Sequence, residues 1–349
     1  MQSIHSTMPL NFKENSKAAI DTLFSALNGS LFKVRIQPSK ENISGSAKGN
    51  LIGGNLSIIY SLLASNYAYD YKNKIKSAEK LAIGWVETRT ELEMIIYNQL
   101  VDITHDIIAE AFSEKVITPG VTTTTDVEWW MRDKVTALGL ETWFHPTVDV
   151  QRTTEELGNH LYAFSNRPDD MVIIPGDLLH CDFGITYLRL NTDCQELAYV
   201  LKPNEKTPPK FLQDALKDGN RVQDIFTNNF ETGKTGNQVL KESLEQGKRE
   251  DLRPAIYTHP LGAYGHSSGT TLGMWDSQVG VPVTGDYPLH ENTVYAIELN
   301  TTVNIPEWNR DIRIMLEEAG FWGTNGFRYV NGRQTKLLTI PRVKDHQGN

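Results

Sequence analysis

The stretch Gly176-Asp-Leu-Leu-His-Cys-Asp182-Phe-Gly-Ile-Thr-Tyr-Leu-Arg-Leu-Asn-Thr-Asp193 decides how this 349-residue chain is read. An apolar strand carries Asp182 towards its end, and a second carboxylate, Asp193, follows eleven positions later. Along one unbroken strand an odd offset sets two side chains on opposite faces. Two paired strands joined by a turn bring them together instead. Burying two carboxylates side by side is costly unless something neutralises them, and a divalent cation does that best. Taken alone, the pair reads more readily as ordinary surface or turn aspartates.

The segments downstream change that balance. THPLGAYGHSSG, residues 258–269, puts His266 in a glycine-flanked turn where backbone can approach a ligand closely. Val294-Tyr-Ala-Ile-Glu298-Leu-Asn300 places a lone carboxylate inside an apolar strand, and Ile312-Arg-Ile-Met-Leu-Glu317-Glu318-Ala-Gly320 is another apolar strand ending in acids. Two Asp, one His and two Glu form an oxygen-rich set suited to two Mn-like ions, about 3.5–4 Å apart and bridged by a hydroxide.

From about Ser77 onward the sequence resembles the creatinase, aminopeptidase P and methionine aminopeptidase superfamily. The resemblance rests on DFG…D, the GH-x-x-G turn, the AIELN strand and RIMLEE. It implies an α+β chain with the pita-bread fold. It also implies a ligand set of Asp182, Asp193, His266, Glu298 and Glu317, with Asp193 and Glu317 bridging both metals. The family's Glu-then-acid pattern selects Glu317, with Glu318 as its alternative. Mn²⁺ is the expected metal, with Co²⁺, Zn²⁺ or Fe²⁺ as alternatives. His160, in GNHLYAF, matches a family histidine that contacts substrate, and Glu298 is the expected proton shuttle. A second family histidine lies about seven residues beyond the metal-binding one. Counted from His266 that position is Gly273, so no histidine stands there. His259 is the substitute for substrate binding, with His145 a further candidate, and a structural reading stands beside each. The implied activity is metal-dependent hydrolysis of a peptide or amide bond near a free N-terminus, as in aminopeptidase P and prolidase.

Residues 1–78 do not resemble that superfamily's N-terminal domain. SKENISGSAKGNLIGGNLSIIYSLLAS, residues 39–65, looks like an internal piece of an LD-carboxypeptidase serine peptidase, without that family's nucleophile or catalytic-histidine segments. The expected organisation is therefore a non-catalytic fragment, 1–78, fused to a pita-bread domain, 79–349. Within the second part, helix periodicity runs from Thr90 to Phe112, with Leu92, Ile95, Ile96, Val101, Ile107, Ile108 and Phe112 as the buried stripe. A second helix starts near Asp126 and carries Val127, Trp130, Met131, Val135 and Leu138. Further helices are expected at 209–229 and 236–247, and strands with Gly/Pro turns from 253.

Composition narrows the function classes. Lys and Arg total 34 against 43 Asp and Glu, a net charge of −9, and no basic stripe suits a phosphate backbone, so nucleic acid is not an expected partner. The N-terminal residues carry no secretory pattern and no apolar run reaches membrane-span length, so the chain reads as cytoplasmic; the resemblance implies a short peptide or amide as partner, and a homodimer is compatible with it. Two cysteines, Cys181 and Cys194, build no disulfide framework. Gly265-His-Ser267-Ser-Gly269 has nucleophile-elbow spacing but lacks helix formers after the serine. Gly233-Lys-Thr235 fails as a phosphate loop because Asn228 stands where glycine is required. A pita-bread protein acting only as a binding module is the remaining alternative.

Overall fold

The computed structural model describes residues 79–153 and 170–342. The chain divides into two units at Ser77/Ala78, and every described residue belongs to the second. The LD-carboxypeptidase-like piece and His160 lie outside the described residues.

Helix α1, Glu79–Glu87, leads into α2, Glu91–Ala111. The start of α2 is fixed by a capping box: Thr90 Oγ1 accepts from the Glu93 amide at 3.2 Å, and Glu93 Oε2 accepts from the Thr90 amide at 2.7 Å. Helix α3, Thr124–Ala137, opens with the same device between Thr123 and Asp126. The buried stripe of α2 is Met94, Tyr97, Leu100, Val101, Thr104, Ile107, Ile108 and Ala111. The expected Leu92 and Ile95 are instead exposed, as is Leu138 just after α3. The stripe runs through two polar residues because both find partners. Tyr97 donates its hydroxyl to the Asn191 carbonyl, and the Thr104 hydroxyl lies 2.7 Å from that of Thr192.

Among the described residues, nine strands form one sheet, ordered β2-β3-β6-β10-β9-β7 along its main path. Its members are β2 (Thr147–Gln151), β3 (Leu178–Phe183), β6 (Cys194–Val200), β7 (Pro254–Ile256), β9 (Thr293–Ile305) and β10 (Arg310–Gly323). Strand β8 (His259–Leu261) adds to β9, β11 (Gly326–Tyr329) to β10, and β12 (Leu338–Ile340) runs parallel to β6. A small sheet of β1 (Glu141–Thr142), β4 (Ile185–Tyr187) and β5 (Leu190–Asn191) flanks it. Helices α2 and α3 bury their apolar faces on residues of β2, β3 and β6. Helix α4, Lys210–Asn228, packs on β9 and β10, and α5, Gly236–Arg249, packs beside α4. Gly233-Lys-Thr235 is the entrance to α5, where Thr235 and Gln238 form its capping box. This is the α+β pita-bread architecture, and no described helix is long and apolar enough to cross a membrane.

Candidate active site

Pairing of neighbouring strands lines up the acids. Asp182 on β3 stands opposite Gln195 on β6, Gln195 opposite Glu317 on β10, and Glu317 opposite Glu298 on β9. Residues directly opposite one another project to the same face, so three carboxylates and one amide form a single row across four strands. The β4–β5 hairpin returns the chain so that Asp193 enters beside this row. The tip of that hairpin uses left-handed backbone at Leu188 and Arg189, φ 49° and 66°. The two aspartates therefore come together through paired strands and a turn, the arrangement that their spacing requires.

The hairpin is fastened from both sides. Asn191 Nδ2 donates to the Gly262 carbonyl at 2.8 Å, tying it to the histidine-bearing loop. Trp143 Nε1 donates to the Thr192 carbonyl at 2.8 Å, and its ring meets that of His266 edge-on at 5.5 Å. Gly184 permits this closeness, because a Cβ there would fall 2.1 Å from the Thr192 oxygen.

Two triads of donor atoms result, each with its atoms within 4.8 Å of one another: Asp182, Glu298 and Glu317, and Asp193, His259 and Glu317. Glu317 belongs to both. The imidazole beside the acids is that of His259, with Nε2 3.8 Å from Asp193 Oδ2 and 3.8 Å from Glu317 Oε1. His266, expected at that position from the sequence, is instead an exposed residue whose ring packs edge-on against His259 at 4.5 Å. His259 lies on β8 and pairs in register with Ala296 of the Glu298 strand, whereas His266 sits in the loop beyond. Their separation is seven residues, so a second histidine does stand seven positions beyond the one at the acids. His145 is elsewhere, with Nε2 3.2 Å from Glu128.

The electrostatics call for positive charge. Burial pushes Asp182 up to about 6, against the opposing influence of His180. Burial, then the neighbouring carboxylates, push Asp193, Glu298 and Glu317 well above the usual range. Burial and the adjacent His266 lower His259 to about 4, leaving a neutral ring with a free lone pair at neutral pH. Asp182 Oδ1, Asp193 Oδ1 and Glu317 Oε1 are buried with no hydrogen-bond partner. Orphaned carboxylate oxygens facing a neutral imidazole fit divalent cations, because a cation supplies to each the interaction that it lacks.

Two polar residues in this site carried no signal in the motif reading. Gln195 Nε2 donates to Glu298 Oε1 at 2.6 Å and to Glu317 Oε2 at 2.9 Å. His180 Nε2 lies 2.9 Å from Gln195 Oε1 and His180 Nδ1 2.9 Å from Asp149 Oδ2. Both sit two positions from an aspartate of the motif, Gln195 after Asp193 and His180 before Asp182, so period-two alternation is the signal that could have found them. Ser267 is followed by irregular chain rather than a helix, so the nucleophile-elbow geometry is not formed.

The sequence profile of metallopeptidase family M24 matches residues 96–319. No curated protein matches the chain. Among solved structures, an X-Pro aminopeptidase from Thermotoga maritima MSB8 is similar at 17% identity and TM-score 0.58, over 82% of this chain and 73% of that one. A prolidase from Pyrococcus horikoshii OT3 is similar at 16% identity and TM-score 0.55, over 81% and 73%. A methionine aminopeptidase from Rickettsia prowazekii aligns at 12% identity and TM-score 0.50, over 71% of this chain and all of that one.

Proposed function

The chain belongs to metallopeptidase family M24, and from that premise we propose that it hydrolyses short peptides at the bond next to a free N-terminus, using two divalent cations. The observation that carries this reading is the pair of donor triads sharing Glu317, with one carboxylate oxygen each of Asp182, Asp193 and Glu317 buried and without a hydrogen-bond partner. In the proposal Asp182, Asp193, His259, Glu298 and Glu317 hold the cations, with His259 taking the place that the sequence reading assigned to His266. Mn²⁺ is the metal favoured by an oxygen-rich set with one imidazole. Bound there, such cations make water acidic enough to attack near neutral pH and polarise the scissile carbonyl.

The remaining work falls to side chains of this protein. Glu298, one of whose oxygens accepts from Gln195, is the group proposed to take the proton of the attacking water and return it to the departing amine nitrogen. His266, at the rim and braced by Trp143, is placed to donate a hydrogen bond to the substrate. That fills the role which had no histidine when counted from His266 itself, and it removes the main ground for a binding module without activity. His160 is proposed as a further substrate contact, so His160→Ala should lower turnover more than metal content. Both solved-structure relatives named for proline substrates support Xaa-Pro peptides as the first class to try.

The test is metal analysis of purified protein joined to turnover. Mn- or Co-loaded protein should retain two equivalents and cleave members of a dipeptide and tripeptide panel that includes Xaa-Pro sequences. A protein that binds two metals yet leaves the whole panel uncut would overturn the hydrolase reading.

A further inference from the structure

The row Asp182–Gln195–Glu317–Glu298 contains one residue that is not an acid, and it is anchored from behind. Gln195 is 2% exposed, and its amide group is oriented by what surrounds it. Carboxylates only accept, so Nε2 must face Glu298 and Glu317, which leaves Oε1 facing His180 Nε2. Oε1 accepts, so His180 Nε2 carries the proton, and the ring is held in turn by Asp149 Oδ2 at Nδ1. His180 therefore donates from both ring nitrogens, to Asp149 Oδ2 and to Gln195 Oε1, and the Gln195 amide donates onward to the two glutamates of the candidate metal site. Glu298 and Glu317 each have three rotatable side-chain bonds. Without a donor between them, two adjacent carboxylates would turn apart.

We propose that Gln195 is a positioning residue for the metal centre: clamped by His180 and Asp149, it holds Glu298 Oε1 and Glu317 Oε2 side by side so that their other oxygens converge before a cation arrives. The inference rests on the metallopeptidase reading and deepens it. Groups that hold metal-ligating side chains in place typically contribute about 10–100-fold in metal affinity, and two of the five ligands are held here by one amide.

Gln195→Met keeps the length and loses the donor, and the protein tested is the full chain. Calorimetric titration with Mn²⁺ should show affinity about 10–100-fold weaker, while the melting temperature of chelator-treated protein moves little. Co²⁺-loaded Gln195→Met should also show an altered visible absorption spectrum, since the glutamates no longer hold one geometry; a purely structural role would leave that spectrum unchanged. Asp149→Asn is the second variant, because it leaves Gln195 and the acids in place and alters a partly exposed residue. Its effect should run in the same direction but be smaller, and it keeps the test open if Gln195→Met fails to fold. Unchanged Mn²⁺ affinity and Co²⁺ spectrum in the folded variants, beside a wild type that binds two metals, would overturn the positioning role alone. A wild type that binds no metal would overturn both this inference and the reading beneath it.

Discussion

On the other face of β6 and β10, His105 from α2 sets Nε2 2.8 Å from Glu318 Oε2, and the second oxygen of Glu318 accepts from the Gln334 amide at 2.8 Å. Burial alone would lower His105, but the hydrogen bond and charge of Glu318 override it and raise the ring from 6.5 to about 9. A folded value above the unfolded one means that the stabilisation is whole below pH 6.5 and is lost as pH rises to about 9. At 1.36 kcal/mol per unit, the difference corresponds to about 3 kcal/mol. Glu196, beside the same pair, is raised from 4.5 to about 8 by burial and then by Glu318. Its sign is the same: the fold keeps a proton that the unfolded chain releases, so stability falls as pH climbs from 4.5 to about 8. Because these groups titrate as a cluster, comparison with His105→Gln isolates the ion pair. The assay is thermal unfolding of chelator-treated wild type and His105→Gln at pH 6 and pH 10. The wild-type advantage should shrink by about 3 kcal/mol between them, or roughly 6–10 °C for a domain of this size. An advantage that stays constant across that window would refute the reasoning.

Glu317→Gln should remove both equivalents of bound Mn²⁺ because Glu317 belongs to both triads, whereas Glu298→Gln should spare the triad of Asp193, His259 and Glu317; metal analysis after desalting reads the difference. His259→Ala should lower metal content, while His266→Ala should retain metal and lose turnover, and the reverse pattern would return the ligand role to His266. Gly184→Ala would drive a Cβ against the Thr192 carbonyl at 2.1 Å. Backbone cannot yield there as a side chain does, so a loss of about 1–3 kcal/mol and impaired metal binding should appear together in unfolding and titration experiments.

How far the sequence could be read depended on whether the needed information was local. The Asp182–Asp193 spacing implied a returning hairpin, and the lone Glu298 in an apolar strand implied a buried charge with a purpose; both rest on neighbours in the chain. His259 and His266 could not be ranked that way. They share one glycine-rich segment, and what separates them is that His259 lies on β8, in register with β9, while His266 lies past it. Pairing between strands distant in sequence is not carried by either segment alone. The buried stripe of α2 departs from simple apolar periodicity for a related reason. Leu92 and Ile95 are apolar, yet the buried face follows Tyr97 and Thr104, whose hydroxyls satisfy the Asn191 and Thr192 region of the hairpin. Gln195 and His180 are silent in the sequence because the role of an amide or imidazole in a strand is set by cross-strand partners distant in the chain.

Consecutive residues on these strands serve different faces: Gln195 and Glu317 point to the acid row, Glu196 and Glu318 to the His105 side. The sheet is therefore intolerant of changes in chain length rather than of changes in chemistry. Removing one residue from β10 ahead of Glu317 would turn Glu317 towards His105 and present Glu318 to Gln195, with no net change in charge. Substitutions that conserve size can be absorbed one at a time along β6 and β10, but a single-codon deletion exchanges an entire set of partners at once. Insertions and deletions in relatives of this chain should accordingly fall in the turns around 188–189 and 306–309, outside the strands that carry the row.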